Sequence, residues 1–486
     1  MSFPASFNLT QQGQVLEALF KSTASSVAPA LLLESFIFGI LCACVPIGSY
    51  LLWIKPHSFP RIPFISILWV LFTMMITHWA LSFRQLEWTF SGRAMEVSLT
   101  QHALLFYGYR DGEHVVEAYE SYASAWLLLL PLVTETVLFG FASFLFAVTA
   151  YTYFWSTLSQ YRSGSTLIIP AMATIMYTLS LVHWAISIRP FTLFADHASL
   201  MATISDSLIN DNLFNDNPES RLEVALLVLL SVNAVMSDSI VIWRMCVVWD
   251  RARSVIAFGS ALLVATLGLN LANIIVTARA RLTLHGTQIA ENDQDTEIIT
   301  IYGGNYLGLA AAFVSLASNA CATVLVGLKV WLHRRQLSKH VRSDSSRTLA
   351  ERVMELLVDS GVAYTSIWLL YCVSFFRTIT THPVLGQDPS VGPSVTASGH
   401  LDAAMAQITS IYPLIIFMLV ALDKIQHSRG PRILHNKEWP DDRGAAVPFT
   451  FEIDVDRNMT LGPTSAHPML ALSGANRSPS LDDKAV

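Results

Sequence analysis

Nine separate stretches of this chain are long and apolar enough to cross a lipid bilayer, and nothing else constrains its fold as much. A spanning helix needs about 20 mostly apolar residues in a row. The runs fall at 29–53, 63–83, 131–155, 166–188, 224–249, 255–277, 304–331, 354–376 and 403–422. Inside hydrocarbon only helices and closed barrels satisfy every backbone group. Barrel strands are short and alternating, whereas these runs are long and continuous. The expected class is therefore all-α, a polytopic transmembrane bundle of about nine spans. Composition agrees: charged residues make up 14% of the 486, against roughly 25% in an ordinary soluble protein. That is too little charge to clothe a soluble body of this size. The net charge of −6, with no basic domain, excludes a nucleic-acid partner and leaves the lipid bilayer as the implied one. The first run starts too far from the N-terminus, and is too long, for a cleaved signal peptide, so it reads as an uncleaved first helix.

The charges that remain orient the chain. Connections 54–62, 156–165, 250–254 and 332–353 carry a net basic charge, with Lys55, Arg61, Arg162, Arg251, Arg253, Arg334 and Arg335 among their cations. These are alternate connections, so they share a side, and the positive-inside bias makes that side the cytosol. Connections 84–130, 189–223 and 278–303 lean acidic. The N-terminus is then expected outside and the C-terminus in the cytosol of the plasma membrane or another secretory-pathway membrane. Residues 1–28 form the outer segment, 29–83 an N-terminal helical hairpin, 124–422 a seven-helix core, and 424–486 a mostly disordered cytosolic tail. The sequon at Asn8 faces the lumen as a glycosylation candidate, while those at Asn458 and Asn476 stay bare. Connection 332–353 and the tail are the candidate contacts for a cytosolic partner. The five cysteines, Cys42, Cys44, Cys246, Cys321 and Cys372, all fall inside spans and read as small apolar side chains.

A repeat runs through the first four helices. PALLLESFIFG, from Pro29, is echoed by PLVTETVLFG, from Pro131. Each opens on proline, which a helix tolerates best at its start. Each carries one acid, Glu34 or Glu135, followed by Gly39 or Gly140. The next helices end HWALSFR (His78 to Arg84) and HWAISIR (His183 to Arg189), alike at five of seven positions. The offsets are 101 and 105 residues, so helices 1–2 and 3–4 read as tandem copies of one hairpin, running in the same sense.

Helices 3 to 9 resemble the seven-helix, receptor-like membrane proteins of mushroom-forming fungi. The residues that carry the resemblance are MSDSIVIWRMCVVWDRA (Met236 to Ala252), LASNACATVLVGLKVW (Leu316 to Trp331), RVMELLVDSGVAYT (Arg352 to Thr365) and ITSIYPLIIFMLVALDK (Ile408 to Lys424). About 300 residues are covered, in the family's helix order, and the hairpin of helices 1–2 is extra. The resemblance implies an N-out, C-in seven-helix core and no particular ligand.

Ionisable residues inside a span are costly, about 2.5–3.5 kcal/mol each at the helix centre, and are functional candidates for that reason. Glu34 with His78, and Glu135 with His183, lie at matching depths within their hairpins. Each pair reads either as a ligand contact or pH-sensitive switch, or as polar glue between helices, and the second reading is preferred. Asp238 and Arg244, six apart, point to different faces of their helix. Arg244 and Asp359 share a level near the inner surface and are expected to pair. Lys329 is expected to snorkel, and Asn319 to bond a neighbouring helix. No enzyme, metal-ligand or cofactor motif is present, so no catalytic residue, metal or cofactor is expected. The expected function is that of a receptor-like sensor. The alternatives are a transporter for a small amphipathic solute and a non-catalytic organiser of the membrane. The oligomeric state is left open.

Overall fold

The computed structural model describes residues 27–54, 62–84, 109–159, 168–203, 218–283, 302–303, 305–340, 349–376, 381–383 and 394–428. Among them, nine helices are long and apolar enough to cross a membrane. They are α1 (Ala28–Ile54), α2 (Ile62–Arg84), α3 (Tyr109–Ser159), α4 (Ile168–Thr203), α5 (Pro218–Val248), α6 (Arg253–Thr283), α7 (Tyr306–His340), α8 (Leu349–Ser374) and α9 (Ala397–Ser428). The protein is a multi-pass integral membrane protein. Each apolar window overlaps its expected run. Asn8 and the tail sequons lie outside the described residues.

One expectation needs correcting. The stretch before Pro131 is helical from Tyr109, so Pro131 lies well inside α3 and does not open it. Hydropathy marks where lipid ends, but the helical hydrogen-bond ladder continues into water where the side chains permit. Pro190 in α4 and Pro413 in α9 are likewise internal. Interior prolines are tolerated in spans because neighbouring groups re-satisfy the freed backbone. The fold is all-helical as expected, apart from one short antiparallel pair, β1 (Thr381–Pro383) and β2 (Ser394–Thr396), Thr381 opposite Thr396, just before α9.

α9 is the axis of the bundle. It packs against α3, α4, α5 and α8, and its spanning segment is buried along most of its length. The core around it includes Leu145, Met176, Leu230, Met245, Trp368, Tyr371, Met405 and Leu414. At the other extreme no residue of the α2 span is buried, and the stripe of Ile65, Leu68, Phe72, Met75 and Trp79 is part-covered. On α6 the exposed side chains Val264, Leu267, Leu271 and Ile275 recur at helical spacing, which is the lipid-facing side. α1 joins the bundle by crossing α3 at two glycines. A Cβ on Gly39 would overlap the carbonyl oxygen of Val137, and one on Gly140 that of Phe36, so only glycine permits this approach.

At the basic end, α5 turns into α6 over Trp249, Asp250 and Arg251. Arg251 N–H donates to Cys246 O at 2.9 Å and Asp250 N–H to Val247 O at 3.1 Å. That bond pair closes a helix end with a left-handed residue, and Asp250 (φ 51°) and Arg251 (φ 54°) are both left-handed. The turn is fastened to α7: Trp249 Nε1 donates to Leu325 O at 3.0 Å, and Lys329 Nζ reaches Asp250 at 3.3 Å.

Candidate functional site

The polar residues of the core form a chain that climbs from one face of the bundle towards the other. Its acidic-end member is a knot of three helices. Glu135 lies seven residues into its span on α3, roughly 10 Å below the acidic face at 1.5 Å per residue. His183 of α4 and Gln407 of α9 reach the same level from their own ends. Glu135 Oε1 stands 2.7 Å from His183 Nδ1 and accepts a hydrogen bond from Gln407 Nε2 at 3.0 Å. Gln407 Oε1 in turn accepts from the Ser180 hydroxyl. Glu135, His183, Gln407 and Ser180 are all buried. One residue before Glu135 on α3, Thr134 Oγ1 meets His400 Nδ1 of α9 at 2.9 Å. Beside the knot, Trp184 Nε1 donates to Thr136 at 2.9 Å and its ring stacks on Phe139 at 4.9 Å.

The first hairpin repeats these contacts residue for residue, more loosely. Glu34 Oε2 lies 4.0 Å from His78 Nδ1, beyond hydrogen-bond reach, with the side chains 31% and 65% exposed. Trp79 Nε1 donates to Ser35 at 3.1 Å and stacks on Phe38 at 5.1 Å. No counterpart of Gln407 meets this pair among the described residues.

The middle of the core is held by Asp238 of α5. It is fully buried, accepting from Ser315 at 2.7 Å and from Asn319 Nδ2 at 3.0 Å, both on α7. One residue earlier, Ser237 meets the Tyr364 hydroxyl of α8 at 3.0 Å. One turn above, Asn233 Nδ2 donates to Ser410 at 2.7 Å on α9. The Tyr364 ring stacks on Tyr412 at 4.1 Å, and the Arg244 guanidinium sits 5.7 Å from the Tyr412 centroid. Arg244 Nη1 donates to Leu357 O at 3.1 Å. The structure does not bring Arg244 and Asp359 together: Arg244 is buried, whereas Asp359 points outward from α8. The two share a level, but they face different directions. Lys329, besides reaching Asp250, lies 5.4 Å from the Trp249 ring.

Gln407, Ser180, Asn233 and Ser315 are the members that a search of the spans for ionisable residues passes over. A search for buried carboxamides would have raised Gln407 and Asn233 beside Asn319. No protein-family model, curated protein or solved structure matches the chain.

Proposed function

We propose that the chain is a receptor-like sensor, with its N-terminus outside, its C-terminus in the cytosol, and α3–α9 as the sensing core. The observation that carries this reading is the polar chain with unfilled hydrogen-bond positions. His183 Nε2, Asn233 Oδ1, Asn319 Oδ1 and Trp368 Nε1 are buried without a partner. Most buried polar groups in folded proteins are satisfied, so a series of unfilled ones calls for a reason. A second arrangement of the same helices, or a polar group entering from outside, would fill them. The core is therefore suited to exchanging partners between two packings, which is what a sensor needs.

Glu135 and His183 are the input point nearest the acidic face, and the connection between α7 and α8 is the output. The orientation rests on the basic connections, and the seven-helix plan on the resemblance in helix order. A transporter is the second reading. Glu135, held by His183, and Asp238, bonded only to neutral side chains, are buried acids that would suit proton coupling. The parallel sense of the two hairpins, unlike the inverted repeats of many transporters, weighs against it.

The test uses protons as the probe. The purified chain is placed in vesicles with a fluorophore on a cysteine introduced at Ser343, and the acidic face receives a step from about pH 7.5 to about pH 5.5, a range in which an imidazole can titrate. The sensor reading expects a fluorescence change without proton flux, lost in His183→Ala at matched amounts of folded protein in the vesicles. Sustained flux would favour the transporter. Silence in both channels would leave the organiser.

A further inference from the structure

The two hairpins differ in one respect: what lies over the Glu–His pair. In α3–α4 the pair is sealed by α9, and Gln407 completes it. In α1–α2 the equivalent face is open. Glu34 is part-exposed, with its Oε2 turned inward and lacking a hydrogen bond, and His78 projects outward. An acid and an imidazole left on a face that otherwise meets lipid are costly, and such residues normally turn towards protein. The rest of the bundle obeys that rule, since the exposed face of α6 carries Val264, Leu267 and Leu271.

We propose that the Glu34–His78 face of the N-terminal hairpin seats a second copy of this chain in the membrane. The packing is two-fold, with Glu34 of one subunit bonded to His78 of the partner subunit and the reverse. Two features select a second copy. The face carries a part-exposed carboxyl and an exposed imidazole, 4.0 Å apart and beyond hydrogen-bond reach of each other, so it is complementary to itself. A two-fold contact pairs residue i with j and j with i, and needs a face of that kind. The groove beside it also suits close approach of another helix. Ser66, Thr73 and Thr77 line it, and their hydroxyls are already spent on their own helix, donating to Ile62, Trp69 and Thr73 carbonyls at 2.7, 2.8 and 2.9 Å. These side chains can pack without an added polar cost, and small side chains let helices approach in lipid. The site is incomplete in one subunit, as the Glu135 knot would be without α9. This inference does not depend on the sensor reading.

The experiment uses the full chain, purified and returned to lipid vesicles over a range of dilutions. Met74, exposed beside the groove, is changed to Cys, and Val264 on α6 serves as the control. Brief cross-linking is expected to join Met74→Cys chains covalently into dimers at dilutions where Val264→Cys and the unsubstituted chain are not cross-linked. Adding Glu34→Gln to Met74→Cys is expected to weaken the dimer about threefold, because the amide keeps an acceptor but loses the charge that strengthens each of the two interhelical hydrogen bonds. The exchanged pair, Glu34→His with His78→Glu, is expected to restore it, which a residue needed only for folding would not do. Subunit counting on the unsubstituted chain repeats the test without any substitution. Single chains at every dilution, equal cross-linking at Val264→Cys, or no loss with Glu34→Gln would each overturn the proposal. So would an adduct that forms only with a different membrane protein in cells.

Discussion

Removing His183 should cost far more than removing its counterpart His78, and the structure sets the size of the difference. Glu135 Oε1 holds two donors, His183 Nδ1 at 2.7 Å and Gln407 Nε2 at 3.0 Å, with no water-facing surface to replace either. Interhelical side-chain hydrogen bonds in membrane proteins average about 0.6 kcal/mol and reach about 1.7. A short bond to a buried acid belongs at the upper end, about 1.5 kcal/mol. His183→Ala also leaves the acid with one donor, and an unsatisfied buried polar group costs about 1–3 kcal/mol. The expected total is about 2.5–4.5 kcal/mol. The assay is a double-mutant cycle, Glu135→Ala with His183→Ala, read by equilibrium unfolding in mixed micelles as detergent denaturant is raised. The coupling should be about 1.5 kcal/mol. The parallel cycle on Glu34 and His78, 4.0 Å apart and part-exposed, should give less than about 0.5 kcal/mol in dispersed single chains. Additivity for Glu135 and His183, or equal coupling in both hairpins, would refute the claim that α9 turns one copy of the motif into a structural knot.

Three more outcomes follow from other parts of the bundle. Gly140→Leu should detach the N-terminal hairpin from α3, exposing the α1–α2 connection to protease while α3–α9 stay folded, because its Cβ has no room beside Phe36 O. Asp238→Leu should lower stability by about 1–3 kcal/mol by stripping Ser315 and Asn319 of their acceptor, and Asp238→Asn, which keeps an acceptor in place, should cost less than half as much in the same unfolding assay. At the α5–α6 turn, Asp250→Val should destabilise by about 1–2 kcal/mol, since a β-branched residue resists the left-handed backbone, whereas Asp250→Gly should be tolerated, the exposed pair with Lys329 being worth little.

The nine spans were legible because length and apolarity are linear properties of a sequence. The helix ends were not. α3 begins at Tyr109, in a polar stretch that hydropathy assigns to a connection, and Pro131 misleads because lipid-embedded helices accept it in their interior. Depth could be read too: Glu135 and His183 were placed at one level by counting from the membrane face, and they stand 2.7 Å apart. Direction could not. Arg244 and Asp359 share a level, yet one turns inward and the other outward, and rotation about a helix axis depends on the neighbours it packs against. Gln407 was hidden for a related reason. It lies 272 residues from Glu135, and an amide in an apolar run carries no charge to draw attention. The β1–β2 pair, three residues a strand, is too short to leave an alternating pattern.

The claim on which the whole account stands is that the chain crosses the membrane nine times, with its N-terminus outside and its tail in the cytosol. Glycosylation mapping in microsomes measures this directly, with the natural sequons at Asn8, Asn458 and Asn476 and one added in each connection in turn. The account predicts glycan at Asn8 and in connections 84–130, 189–223, 278–303 and 377–396. It predicts none in 54–62, 156–165, 250–254, 332–353 or the tail. Glycan at Asn458 or Asn476 on the native chain would contradict it, because an even number of crossings would then separate the tail from the outer N-terminus.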